Sequence, residues 1–193
     1  MIELIKNPAI RLLLIVILLF LLAGRTDGQN ESLEIGLPYL KNYSVKDYKA
    51  HTQNFSVVQD KRGVMYFANF SGILEFDGTQ WRLIPTKNRT KVSALAIDKN
   101  GRIYIGTRGE LGYLEVNKSG KMYFVSLNDS IDNTSSLFID INNIYPSSKG
   151  IYYIGDDFIL LWNNGKFEVQ KTDYLIKSAF YINKKLILDV SNQ

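Results

Sequence analysis

The side chains that could do chemistry in this chain are one histidine and a scatter of carboxylates. His51, in KAHTQN, is the sole histidine among 193 residues. A metal site needs several suitable ligands converging on one point. A Ser-His-Asp arrangement would have to use His51, and no GxSxG elbow is present to offer the serine. His51 is therefore expected to be a surface residue. Carboxylates recur at Asp60, Glu75, Asp77, Asp98, Glu115, Asp156, Asp157 and Asp189, and glycoside hydrolysis needs a converging pair of acids. Asp60 and Asp98, however, each open an Asp-x-x-Gly run, and Asp77 opens Asp-Gly. An aspartate so placed accepts hydrogen bonds from the backbone of its own turn. Asp156 and Asp157 with Asn163 and Asn164 could supply oxygens to a weak calcium cluster, or they are two exposed loops. No catalytic, cofactor-binding or metal-binding residue is assigned, no cofactor is expected, and no residue is singled out for a ligand.

Composition closes several routes. There is no cysteine, so a disulfide framework, a CxxC redox site and a thiolate metal site are all excluded. Residues 1–28 read as a signal peptide: Lys6 and Arg11, then the apolar run LLLIVILLFLL at 12–22, then a small-residue exit through Ala23, Gly24 and Gly28. The run is short for a membrane span, which needs about 20 residues. Removing 1–28 leaves 20 basic and 17 acidic residues. That excess is too small and too dispersed to attract nucleic acid.

The elements that must position these groups are short strands in a repeat. VVQDKRGVMYFANFSGILEFDGTQW (57–81), LAIDKNGRIYIGTRGELGYLEVNKSGKMYF (95–124) and IYPSSKGIYYIGDDFILLWNNGKFEV (144–169) align on Gly63, Gly101 and Gly150, which stand 38 and 49 residues apart. The longer spacing holds a polar insert, NDSIDNTSS at 128–136, and a further copy begins with SAFYINKKLILDV at Ser178. Units of about 40–50 residues made only of strand and turn are the pattern of propeller blades. Each unit reads as four strands, with hairpins at the glycine turns and again at Asp77-Gly78, 118–120 and 163–165. No helix is expected after residue 28, because no stretch there has a 3.6-residue apolar period. Phe67, Trp81, Tyr104, Tyr113, Tyr153 and Trp162 are expected to pack blade against blade.

The segment QNFSVVQDKRGVMYFANFSGILEFDGTQWRLI, from Gln53 to Ile84, resembles the first blade of the two-component regulator propeller family, in the form found in Bacteroidetes regulators with a triple-tyrosine module. DKNGRIYIGTRGELGYLE matches the commoner blade consensus: D-x-x-G, an aromatic-rich strand, G-T, then G-L or G-Y. The resemblance covers about residues 40–193. Two other repeat families do not match: a sialidase Asp box would place serine where Glu75 stands, and the GH and WD pairs of WD40 repeats are absent.

The resulting expectation is an all-β chain: a signal helix, a lead-in at 29–53, and an incomplete β-propeller over 54–193. Its blades fall at about 54–86, 92–127 and 139–171, with a partial one at 176–193, about three and a half in all, whereas propellers close with roughly four to eight. The chain is thus expected to be the N-terminal piece of a longer protein, or else to close by assembly of several copies. The resemblance implies an exported, non-catalytic sensor on the periplasmic side of the inner membrane. It would recognise an extracellular ligand such as a glycan, act as part of a larger receptor or homodimer, and meet the membrane only through the signal peptide or a downstream helix. Ligand contacts would come from the turns around 61–63, 99–101 and 147–149, or from the opposite set around 69–72, 107–112 and 155–158. The competing readings are a fragment of an exported polysaccharide hydrolase or lyase, which needs converging carboxylates, and a structural or adhesive surface protein. Eight Asn-x-Ser/Thr sequons follow residue 28, at Asn30, Asn42, Asn54, Asn69, Asn88, Asn117, Asn128 and Asn133. They are glycan acceptors only in a eukaryotic secretory setting.

Overall fold

The computed structural model describes residues 40–131 and 140–192, with the helical residues 8–9, 12–13 and 16–17. The chain divides into two units, Met1–Lys41 and Asn42–Gln193. Most of the expected signal peptide, the first part of the lead-in and the later part of the polar insert, from residue 132, lie outside the described residues. Among the described residues no helix is long and apolar enough to cross a membrane.

The second unit is a series of antiparallel meanders. The first sheet is β1 (Asn54–Gln59), β2 (Met65–Asn69), β3 (Gly72–Phe76) and β4 (Trp81–Ile84), in that order. The second is β5 (Val92–Ile97), β6 (Ile103–Thr107), β7 (Leu111–Val116) and β8 (Met122–Ser126). The third is β9 (Asn143–Pro146), β10 (Ile151–Ile154), β11 (Phe158–Asn163) and β12 (Lys166–Lys171), and a two-stranded sheet follows, β13 (Tyr174–Ile182) with β14 (Lys185–Asn192). The first strands of successive sheets are neighbours: β1 lies by β5 and β5 by β9. Gly63 and Gly101 take φ of 86° and 88°, a conformation that costs a residue with a Cβ and lets the first hairpin of each sheet close tightly.

Each gap between sheets holds one apolar core. Tyr66, Ala68, Ile73, Ile84, Val92 and Ile105 fill the first, Tyr104, Leu111, Ile141, Tyr153, Phe158 and Leu160 the second, and Ile154, Ile159, Ile176 and Ala179 the third. Side chains alternate across each strand: Tyr66 and Tyr104 face the following sheet, whereas Tyr153, one position off their register because its turn is one residue shorter, faces back to the second sheet. Tyr66, Tyr104 and Tyr153, each three residues after a turn glycine, are all buried. Two residues further on stand Ala68, Gly106 and Gly155. A Cβ on Gly106 would collide with Ile141, and one on Gly155 with the Phe158 ring. These small residues let the neighbouring element approach the strand.

Two expectations are corrected. Tyr104, Tyr113, Tyr153 and Trp162 do pack at the second gap. Phe67 and Trp81 instead occupy the outer face of the first sheet, because Phe67 is one residue off the buried register of Tyr66. There the rings of Trp81 and Phe76 stack with centroids 4.4 Å apart, and Tyr43 and Tyr48 from the lead-in lie over Trp81 at 5.2 and 5.5 Å. The second correction is a helical turn, Val45–Tyr48. One turn is too short to show a period. It forms because Asp47 Oδ2 accepts both the Ser44 amide, at 2.6 Å, and the Ser44 hydroxyl, at 2.8 Å, closing the start of the helix. A short 3₁₀ turn also forms at Asn128–Ser130.

Candidate functional site: two rims of the sheet series

Because every sheet is a meander, its first and third hairpins lie at one rim and its second at the other. The Asp-x-x-Gly turns occupy the first rim. Asp60 Oδ1 accepts the amides of Arg62 and Val64 at 2.8 and 3.1 Å, and Asp60 Oδ2 takes the Arg62 guanidinium at 2.7 Å. Burial works against the charged form of Asp60, but Arg62 and these amides outweigh it and hold the carboxyl below the usual range. Asp98 repeats the device: it accepts the amides of Asn100 and Arg102 at 2.9 Å each, and the Tyr104 hydroxyl at 3.3 Å. Asp77 likewise caps its own turn, from Thr79 and Gln80 at 2.8 and 2.7 Å. The turn assignment of these three aspartates therefore holds.

Four of the other carboxylates also have side-chain partners. Glu75 pairs bidentately with Arg82 at 3.0 and 2.7 Å, and Arg82 Nη1 donates to the Met122 carbonyl at 2.9 Å, fastening the first sheet to β8. Glu115 accepts the Tyr123 hydroxyl, and Asp156 accepts the Asn142 amide at 2.6 Å. Asp189 lies at 3.5 Å from the Ser178 hydroxyl. The suggested Asp156-Asp157 and Asn163-Asn164 cluster does not form, since β11 runs between the two pairs and places them at opposite rims. Among the described residues no group of His, Asp or Glu is arranged to hold a metal. His51 is exposed; its ring lies on Phe70 with centroids 4.5 Å apart, and its Nδ1 accepts the Gln53 amide at 3.1 Å.

On the first rim a depression of about 720 Å³ opens across the turns of the second, third and two-stranded sheets. Tyr104, Trp162 and Tyr181 contribute rings to it, and Lys99, Lys149 and Lys184 contribute ammonium groups. Lys61 reaches sideways along the same rim and donates to the Lys99 carbonyl at 3.3 Å. Burial, and then the charge of Asp98, push the Tyr104 hydroxyl up, so it is a neutral hydrogen-bonding group throughout the physiological range.

The second rim carries residues not singled out in the sequence. Glu110 is only 1% exposed and accepts the Asn88 amide at 3.2 Å. Asn128 accepts the Leu111 amide and donates to the Gly109 carbonyl, at 3.0 and 2.9 Å. Asn69, the last residue of YFAN, is fully buried, and its Nδ2 donates to the carbonyls of His51 and Gln53 and to Asn54 Oδ1, at 2.6, 3.0 and 2.8 Å. That arrangement ties the lead-in to the first sheet and leaves this sequon no room for a glycan. The available signal for Glu110 was its place between two glycines, in a turn that needs no acid of its own.

Four-stranded antiparallel meanders that share one small core per gap define a β-propeller architecture. The sequence pattern of the two component regulator propeller matches residues 87–109, which hold β5, its Asp-x-x-Gly turn and β6. The chain therefore carries the repeat of that family, as the motif resemblance implied. No curated protein matches the chain in sequence. Among solved structures it is similar to the extracellular domain of a hybrid two component system from B. thetaiotaomicron, with 19% identity, a TM-score of 0.51, and coverage of 70% of this chain and 20% of that one. It is also similar to YCF48 from Cyanidioschyzon merolae, with 15% identity, a TM-score of 0.53, and coverage of 74% and 49%. The chain thus spans a fifth of the first structure and about half of the second. At these identities the likeness speaks to the fold.

Proposed function

We propose that this chain is part of an exported sensor propeller, which recognises an extracellular ligand without transforming it and passes the signal to the rest of a membrane-bound regulator. The observation that carries the reading is the placement of the family repeat. Residues 87–109 include the turn that supplies Asp98, Lys99 and Asn100 to the depression on the first rim. Rings that can stack on a sugar face, amides that can bond its hydroxyls and ammonium groups that can meet acidic substituents make this rim the recognition surface. Further blades, a membrane-crossing segment and an output would complete the receptor. Ligand capture would act by favouring one arrangement of the assembled receptor over another. The periplasmic location rests on the signal-peptide pattern together with the extracellular origin of the similar sensor structure. The hydrolase or lyase reading gains little from the geometry, since Asp60, Asp77 and Asp98 serve their own turns and Glu75 is held in an ion pair.

The test is titration of the chain with a panel of acidic and neutral oligosaccharides, by calorimetry, beside a variant with Lys99, Lys149 and Lys184 all replaced by alanine. Binding to the parent chain that weakens at least tenfold in the variant supports recognition on the first rim. Binding unchanged in the variant moves recognition to the second rim. Turnover of an oligosaccharide by the parent chain would overthrow the sensor reading.

A further inference from the structure

We infer that Asn164 is a site of spontaneous deamidation in the folded protein, and that the fold protects the other Asn-Gly pair, Asn100-Gly101. The chemistry needs no partner beyond water. The Gly165 backbone nitrogen, on losing its proton to solvent hydroxide, attacks Cγ of Asn164. The new N–C bond forms as the Cγ–Nδ2 bond breaks, and the departing nitrogen takes a proton from water, regenerating hydroxide, and leaves as ammonia. Water then opens the resulting five-membered succinimide at either carbonyl, giving aspartate or isoaspartate. The step is fastest where the following residue has no side chain and where its nitrogen is free to move onto Cγ.

The chain offers three asparagines for comparison, all in turns on the first rim. Asn100 is exposed, yet its turn is bound three times: Asp98 Oδ1 accepts the amides of Asn100 and Arg102, and the attacking nitrogen itself, Gly101 N, donates to the Asp98 carbonyl at 3.0 Å. Asn164-Gly165 forms a two-residue hairpin loop between β11 and β12, with both residues exposed and at φ of 48° and 80°. Neither the Gly165 nitrogen nor the Asn164 side chain has a hydrogen-bond partner among the described residues. Asn183-Lys184 forms the same kind of loop between β13 and β14, at φ of 51° and 63°. Its successor carries a long side chain, which hinders closure of the ring. Only Asn164 combines a free nitrogen with a glycine. It also lines the depression described above, so conversion places a new carboxylate among Lys99, Lys149 and Lys184.

The experiment incubates the purified chain at mildly alkaline pH, native and in denaturant, and follows each site by peptide mapping and by enzymatic methylation of isoaspartate. The expected result is conversion at Asn164 several-fold faster than at Asn100 or Asn183 in the native chain. In denaturant the two Asn-Gly sites should react at similar rates. The Asn164→Gly variant, whose loop tolerates glycine, should lose the signal at that site and keep the rest. Equal rates at Asn100 and Asn164 in the native chain would overturn the inference. So would a native chain inert at Asn164, or the same preference for Asn164 persisting in denaturant, since the selectivity would then owe nothing to the fold.

Discussion

The gap between the second and third sheets and the outer face of the first sheet are both lined with aromatic rings, but they are held in different ways. In the gap Tyr153 is fully buried and its hydroxyl donates across to the Gly112 carbonyl at 3.0 Å. Gly106, in the same gap, has no room for a Cβ, which would collide with the Ile141 side chain. On the outer face Phe67, Phe76 and Trp81 are covered only in part, by Tyr43 and Tyr48. Val57 there is 51% exposed, and Trp81 Nε1 is buried without a hydrogen-bond partner. The gap is sheet against sheet, with the Tyr153 hydroxyl paired across it; the outer face is sheet against a strap, anchored through Asn69. Aromatic content alone does not distinguish a packed interface from a covered surface. The small residues beside the rings do.

This contrast can be broken most forcefully at Tyr153. Tyr153→Ala should cost about 4 kcal/mol in denaturant unfolding, as for other large buried rings, and Trp81→Ala clearly less. Equal losses would mean that the strap is as tightly packed as the gap. Gly106→Ala should cost about 3 kcal/mol from overpacking. Gly78→Ala, at a positive φ but in open space, should cost only about 1 kcal/mol, through backbone strain. The comparison of the two glycines separates crowding from conformation. Asn69→Ala should cost about 1–2 kcal/mol, and its sharper readout is faster hydrogen exchange and proteolysis confined to residues 42–53. Uniform acceleration across all sheets would show that Asn69 supports the whole first sheet and not the strap alone.

The smallest effect expected is a pH dependence. Burial, followed by the charges of Glu75 and Asp60, pushes Tyr66 up to about 12 from its ordinary 10.0. The folded chain then holds a proton that the unfolded chain releases. The stability this supplies is complete below pH 10 and declines as the pH rises toward about 12. Denaturant midpoints measured across that window should fall more steeply in the parent chain than in Tyr66→Phe. Parallel slopes would place the alkaline sensitivity elsewhere.

Much of this architecture was legible in the sequence because it is written in local terms. Turn glycines at 63, 101 and 150 set the first hairpins, and the strand pattern between them set the sheets. Tyr104 and Tyr153 were legible as buried rings; Tyr66 was not, because VMYFA is apolar on both faces and its pattern does not separate Tyr66 from Phe67. Other features were out of reach because they depend on what the chain meets in space. Asn69 resembles any loop asparagine until two carbonyls of the lead-in and the Asn54 side chain converge on it. Glu110 resembles a turn residue until the loop before β5 folds over it. The depression on the first rim joins turns from three sheets, and no one repeat contains it.

The meander order has a consequence for how the chain is made. All strand pairing within each sheet is between neighbours in sequence, so no sheet has to wait for a distant partner before its hydrogen bonds close. Contacts of short sequence separation form quickly and at small entropic cost. A chain delivered N-terminus first, whether from a ribosome or through a translocation pore, can therefore complete the first meander and lay the second against it while the third is still unmade. Assembly proceeds as a queue, in which each finished sheet is the template for its successor.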